Sequence, residues 1–204
     1  MIVGLTGGIA AGKSTVSQMF KDLGAYLIDF DELAREVVKP GKRAWQKIVE
    51  YFGNDILNED LTLNRQKLGE LVFHDPKKLR KLNEIVHPEV FREDQKITDE
   101  ILSKNPRALI IKDIPLLTEA GAQKLVEKII VVYASSQTQL ERMIERGFNE
   151  EEARARIDAQ APLEEKLKYA DFIIYNDGPL EDTRKQVAEI YLKLRNLQQV
   201  PAAN

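Results

Sequence analysis

Ile2-Val-Gly-Leu-Thr-Gly-Gly-Ile-Ala-Ala-Gly-Lys-Ser14 decides how the rest of the chain is read. A short apolar run, Ile2 to Leu5, meets Gly7; four residues intervene before Gly12, Lys13 and Ser14. This is the spacing G-x-x-x-x-G-K-[ST] of a phosphate-binding loop, in the strand–loop–helix context that the motif requires. Glycines let the backbone curl until successive N–H groups point inward, a curvature that side chains resist. Lys13 then reaches the β- and γ-phosphates as a point charge, and the Ser14 hydroxyl is placed to ligate Mg²⁺. The helix that follows aims its positive end at the same phosphates. The motif implies a nucleoside triphosphate as ligand.

Outward from that loop, composition narrows the possibilities. The chain has 204 residues, enough for one domain with an insertion. With 30 basic and 33 acidic residues its net charge of -3 gives no field for indiscriminate nucleic-acid binding. Cysteine is absent, which excludes disulfides, thiolate catalysis and zinc–thiolate sites, and two histidines do not make a His-rich metal centre. The first strand starts beside Met1, leaving no room for a signal peptide, and no apolar run approaches membrane-spanning length. The expectation is a cytoplasmic enzyme with neither nucleic-acid nor membrane partners, a monomer or weak homo-oligomer.

Short β-branched or aromatic runs recur at Ile2–Leu5, Tyr26–Ile28, Ala108–Ile111, Ile129–Tyr133 and Phe172–Tyr175, and read as buried strands. Between the first two, Val16, Met19, Phe20 and Leu23 follow helical spacing and Gly24 closes the helix. The alternation predicts an α/β fold: a P-loop NTPase-type core with a mostly parallel five-stranded sheet and helices on both faces. Ligands in such sheets gather at the carboxyl ends of the strands, where Gly7, Asp29, Asp31 and Asp113 fall. Two stretches interrupt the alternation. Residues 31 to 105 carry only helical patterns and turns, too long for an ordinary crossover, and are expected to form a helical substrate-binding insertion in which Trp45 and Phe52 belong to the core. Residues 136 to 170 are expected to form a helical lid. There Ser136-Gln-Thr-Gln139 reads as a capping box, Asn149-Glu-Glu-Glu152 caps a second helix, and Pro162 starts a third. The core is left with about residues 1–30, 106–135 and 171–198.

A phosphate loop alone does not distinguish kinases from switches or motors. The [NT]-K-x-D and D-x-x-G signatures of guanine-nucleotide switches are absent. A small chain with a helical insertion and an arginine-bearing helical segment points to a small-molecule kinase, since phosphoryl transfer needs positioning, charge neutralisation and exclusion of water. Kinases of nucleosides or nucleoside monophosphates, and a nucleotide-switched regulator, remain alternatives at this point. Arg142 and Arg146 share one helix face and could supply the charge; equally, they and Arg154 and Arg156 could pair with Glu141, Glu145 and Glu150–Glu152 on a solvated face, an arrangement worth only ~0–1 kcal/mol per pair. Asp29 and Asp31 leave a strand end together, so one can orient the metal and the other accept a hydroxyl proton, or Asp31 can cap a helix starting near Glu32. Asp113 ends a Walker-B-like run interrupted by Lys112, with a metal role open.

Taken in order, Thr6-Gly-Gly-Ile9, Gly12-Lys-Ser-Thr15, Ile28-Asp-Phe-Asp31 with Arg35, Val38-Lys-Pro-Gly41, Phe52-Gly53, Asn64-Arg65, Leu82-Asn83 with His87-Pro88, Pro115-Leu-Leu117 with Glu119, Ala155-Arg-Ile157 with Gln160, Ala170-Asp171 and Asn176-Asp-Gly178 resemble the bacterial dephospho-CoA kinases over nearly the whole chain. The resemblance implies transfer of the ATP γ-phosphate to the 3′-hydroxyl of 3′-dephospho-CoA, with Mg²⁺ carried on ATP. It implies that Gly8, Ala10, Ala11, Gly12, Lys13, Ser14 and Thr15 hold ATP, with Ser14 on the metal. Asp31 becomes the general base, Arg142 and Arg146 lid arginines, and Asn176 and Gly178 part of a loop near adenine. Arg35, Arg65, His87, Pro115 and Leu116 join Asp31 as candidate contacts of dephospho-CoA, although His87 could equally bond between helices. The chain departs from the family at Ala10-Ala11, where Gly-Ser is usual, at Phe30 between the aspartates, and at Tyr175.

Overall fold

The computed structural model describes residues 1–73, 75–118, 121–160 and 163–198. The predicted helix start at Pro162, the family position Glu119 and the tail beyond Gln198 lie outside them. Five strands are described: β1 (Ile2–Gly7), β2 (Tyr26–Asp29), β3 (Ile110–Asp113), β4 (Lys128–Tyr133) and β5 (Phe172–Tyr175). They pair in the order β2-β3-β1-β4-β5, every pairing parallel, so the mostly parallel expectation becomes wholly parallel among the described residues. The boundaries move. The first strand runs on to Gly7 because Thr6 and Gly7 continue the ladder to Val131 and Val132. The third begins at Ile110 rather than Ala108 and runs on to Asp113, in register with Leu5.

Nine helices are described: α1 (Lys13–Asp22), α2 (Phe30–Glu36), α3 (Arg43–Phe52), α4 (Arg65–Phe73), α5 (Pro76–Lys104), α6 (Ser136–Glu145), α7 (Glu150–Asp158), α8 (Leu163–Leu167) and α9 (Leu180–Leu197). The chain divides into two compact units, Met1–Asp29 with Ile101–Asn204, and Phe30–Glu100. In the first, α1 and α9 cover one sheet face: Val16 and Phe20 from α1 and Val187, Ile190 and Leu194 from α9 bury with Val3, Leu5, Ile111, Ile130, Val132 and Ile174. Side chains on a strand alternate faces, so Gly4 and Thr6 look the other way, towards Leu117, Val126 and Pro115.

The second unit is helical, as expected, with one isolated bridge between Leu57 and Leu63. Ala44 and Ile48 of α3, Ile56, Leu68 and Val72 of α4 and Ile85 of α5 form its core, with Phe52 against it. Trp45 sits differently from its expected core place: half-buried, it donates its indole N–H to Leu61 O (2.8 Å), as an indole near the surface tends to do. In the first unit α6 is capped by Ser135, not Ser136: the Ser135 hydroxyl accepts from Thr138 N (3.3 Å), and Gln139 donates its amide to Ala134 O instead of closing a box. The Asn149 box on α7 forms as predicted, with Asn149 accepting from Glu152 N (2.8 Å). No helix among the described residues is long and apolar enough to cross a membrane.

Candidate active site

β1 delivers the chain to Gly7 at the carboxyl end of the sheet centre, and α1 starts six residues later. Between them the loop closes on itself through Ala11 N to Gly8 O (3.2 Å), and Thr15 N and Val16 N bond Gly12 O to start α1. Gly12 stands at φ +93°, and a Cβ there would collide with the Asn176 amide nitrogen, so two independent demands meet at one glycine. Ala10 also takes a left-handed backbone, φ +54°, where glycine would be at ease. Its methyl group is buried with Leu140, Met143 and Ala153, which offsets the strain. The first turn of α1 holds no acidic side chain, so its positive end faces the loop uncompensated by its own residues. Ser14 and Thr15 are exposed there.

Lys13 turns from that loop to Asp113, forming an ion pair and hydrogen bond. β2 and β3 set Asp29 and Asp113 in register at neighbouring strand ends. Burial pushes the Asp113 carboxyl above the usual carboxylate range; Lys13 pulls it back through charge and hydrogen bond, Asp29 raises it further, and the Ser17 hydroxyl lowers it. The sequence left the role of Asp113 open, and the structure puts its carboxylate on the loop lysine. The oxygen donors here, the Ser14 hydroxyl and two carboxylates at the strand ends, suit a hard divalent cation such as Mg²⁺.

The arginines separate. Arg142 spreads its guanidinium between two carbonyls, Nη1 to Ala10 O (3.2 Å) and Nη2 to Asn176 O (2.6 Å). Arg146, expected on the same face, is instead the exposed C-cap of α6 with its backbone N–H turned back to Arg142 O and Met143 O. Arg154 pairs with Glu150 (2.7 Å), the solvated-face arrangement, and Arg156 lies over the Phe148 ring at 4.6 Å. Asn176 is 5% exposed, donates to Ala11 O (2.8 Å) and accepts from Thr183 Oγ1 (2.7 Å). Gly178 is exposed with open space around it. Gly8 faces the Gln139 amide, and Ile9 N donates to Gln160 Oε1 (2.8 Å). Pro115 O accepts from Thr6 Oγ1 (3.0 Å) and from Lys166 Nζ (3.3 Å), while Leu116 is exposed. Lys166 is fully buried. Nothing in Glu164-Glu-Lys-Leu-Lys168, which reads as a charged surface helix, signals that.

In the helical unit Asp31 and Arg35 are exposed on α2. The helix starts at Phe30, so Asp31 lies within its first turn rather than capping a later start, where a carboxylate favours the helix dipole. His87 is exposed on α5, its ring edge-on to Phe91 (6.3 Å), and Phe91 in turn meets Phe30 (6.4 Å). Arg65 opens α4, exposed. Sequence reasoning missed Glu89, buried on α5 between Arg43 (3.5 Å) and Arg92.

A wholly parallel β2-β3-β1-β4-β5 sheet, with a lysine-bearing phosphate loop leaving its central strand, defines a phosphate-loop nucleotide-binding protein. Residues 1–182 match the model of the dephospho-CoA kinase family, CoaE, and the chain belongs to that family. A Bacillus cereus relative named dephospho-CoA kinase is 50% identical over 97% of this chain and 98% of its own length. Among solved structures, the Thermus thermophilus protein TT1252 superposes with a TM-score of 0.78 at 32% identity, covering 95% of this chain and 97% of that one. Dephospho-CoA kinase from Campylobacter jejuni reaches a TM-score of 0.64 at 28% identity, with 95% and 96% covered.

Proposed function

We propose that this chain transfers the γ-phosphate of ATP to the 3′-hydroxyl of 3′-dephospho-CoA, giving CoA and ADP in the last step of coenzyme A synthesis. The family match across residues 1–182 carries the reading, and the phosphate loop at the carboxyl end of the sheet supports it. Loop N–H groups and the α1 N-terminus bind the phosphates. On binding, Lys13 exchanges Asp113 for the β- and γ-phosphate oxygens and neutralises charge that develops during transfer. Asp31 is the general base that accepts the acceptor's hydroxyl proton, and Arg35, Arg65, His87, Pro115 and Leu116 hold dephospho-CoA. Ser14, with Asp29 or Asp113, would hold the Mg²⁺ carried on ATP, which would supply charge neutralisation during transfer. Residues 31–105 serve as the acceptor-binding part and 136–170 as a lid carrying Arg142 and Arg146. The enzyme works in the cytoplasm as a monomer or weak homo-oligomer. With Mg-ATP, dephospho-CoA should gain one phosphate far faster than adenosine, AMP or shikimate, with ADP formed in equal amount. Mass spectrometry of the products checks this; no phosphorylated product, or preference for AMP, overturns it.

A further inference from the structure

Carbonyl oxygens of a phosphate loop are as consequential as its N–H groups. In a trans peptide the C=O and the following N–H point in opposite directions, and no cis peptide occurs among the described residues. Whatever grips a carbonyl from outside therefore aims the next N–H inward. Two consecutive carbonyls of this loop are gripped by side chains: Ala10 O by Arg142 (3.2 Å) and Ala11 O by Asn176 (2.8 Å). The second grip bears on the Gly12 N–H, the last loop donor before α1.

Asn176 is itself held from every side. Its Oδ1 accepts from Thr183 Oγ1 (2.7 Å) on α9, which leaves Nδ2 as the end that meets Ala11. Its backbone N–H donates to Tyr133 O (2.8 Å) and its backbone C=O accepts from Arg142 (2.6 Å). Both Asn176 and Thr183 are buried, 5% and 1% exposed. The amide fills the space in front of Gly12, where a Cβ has no room. A buried amide with both ends bonded holds one orientation, and reversing it would set oxygen against oxygen at Ala11.

We propose that Asn176 is a positioning residue for triphosphate binding: it acts on the phosphates by orienting the Ala11–Gly12 peptide, not by contacting the nucleotide base, and Thr183 sets its amide the right way round. This rests on the ATP-binding part of the proposed function. It is read out by triphosphate binding without acceptor, so it stands or falls separately from the identity of the acceptor.

Inorganic tripolyphosphate, which has phosphates and no base, separates the two routes. Calorimetric binding of Mg-ATP and of Mg-tripolyphosphate is compared for the wild type, Asn176→Leu, Thr183→Val and Thr183→Ser. Neither Asn176→Leu nor Thr183→Val introduces charge, and Thr183→Ser keeps the hydroxyl. Asn176→Leu should weaken both ligands by a similar factor of about ten or more, and Thr183→Val by a smaller shared factor of about three to ten. Thr183→Ser should restore binding to near wild type. If Asn176→Leu does not fold, the Thr183 pair carries the same comparison. ATP binding that falls while tripolyphosphate binding holds overturns the proposal in favour of base recognition; so does Thr183→Val that binds both ligands as the wild type does.

Discussion

A lysine beside a buried aspartate looks like a stabilising ion pair, yet the balance at Lys13 and Asp113 runs the other way. Burial, the largest influence, together with the neighbouring Asp29 leaves the Asp113 carboxyl raised despite the charge and hydrogen bond of Lys13 and the Ser17 hydroxyl. The folded protein therefore holds that proton more tightly than the unfolded chain. A carboxylate whose pKa is raised by folding contributes stability below its unfolded value, and that contribution is lost as pH rises through the folded value. Once ionised, Asp113 is therefore a net burden on stability, kept for what it does with Lys13 and Asp29. Asp113→Asn, which does not titrate, should match the wild type in melting temperature at low pH and gain on it as pH climbs past the ordinary carboxylate range. Turnover should fall in the same variant. Melts across pH with a parallel ADP assay check both; an Asn variant that is less stable at pH 7 than at pH 4, relative to wild type, has the sign reversed.

At the scale of the element, the strand–loop–helix unit was legible because its information is local: spacing alone places Gly7, Gly12, Lys13 and Ser14. The five strands were legible for the same reason, apart from ends set by ladder partners over a hundred residues away. What grips the loop was not legible. Arg142 meets Ala10 across 132 positions and Asn176 meets Ala11 across 165, separations at which no periodicity or spacing speaks. Ser135 and Ser136 are equally able caps in sequence, and packing of Gln139 onto Ala134 chose between them. The same element explains how Ala10 is tolerated in a left-handed backbone conformation that favours glycine. A left-handed alanine costs about 1–2 kcal/mol. Replacing it with glycine removes a buried methyl worth ~0.8 kcal/mol and adds unfolded-state freedom worth about 0.4–1 kcal/mol. The terms nearly cancel, so Ala10→Gly should shift stability by under about 1 kcal/mol and leave ATP binding intact. Gly12→Ala meets the held Asn176 amide and a forbidden φ together, and should abolish ATP binding. Thermal melts and calorimetry on the two variants test this; equal behaviour at both positions refutes it.

At the scale of the whole molecule, the question is whether residues 136–170 close over the phosphates. Charged, self-capped helices suggest a loosely held segment, but α6 is anchored: Leu140 and Met143 bury against Ala10, and Arg142 holds the loop. α7 differs, with Ala153 its one buried residue, its acidic first turn in water and Arg154 paired to its neighbour Glu150, although Gln160 just beyond its end accepts from Ile9 N. Elements with few buried apolar contacts open at low free energy. The part of the proposed lid expected to move is therefore α7, while α6, which carries Arg142, stays packed against the phosphate loop. ATP bound together with dephospho-CoA, under conditions that block turnover, should slow amide exchange across α7 by about tenfold or more. It should leave α9 unchanged and change α6 little, because α6 is already packed against the phosphate loop. Removing Arg142 (Arg142→Ala) should then lower ATP affinity as well as turnover, since the same side chain orients the loop in the absence of ligand. Exchange that is already slow through α7 in the protein alone, and unmoved by both ligands, would mean that the segment is a fixed part of the core and that water is excluded by some other element.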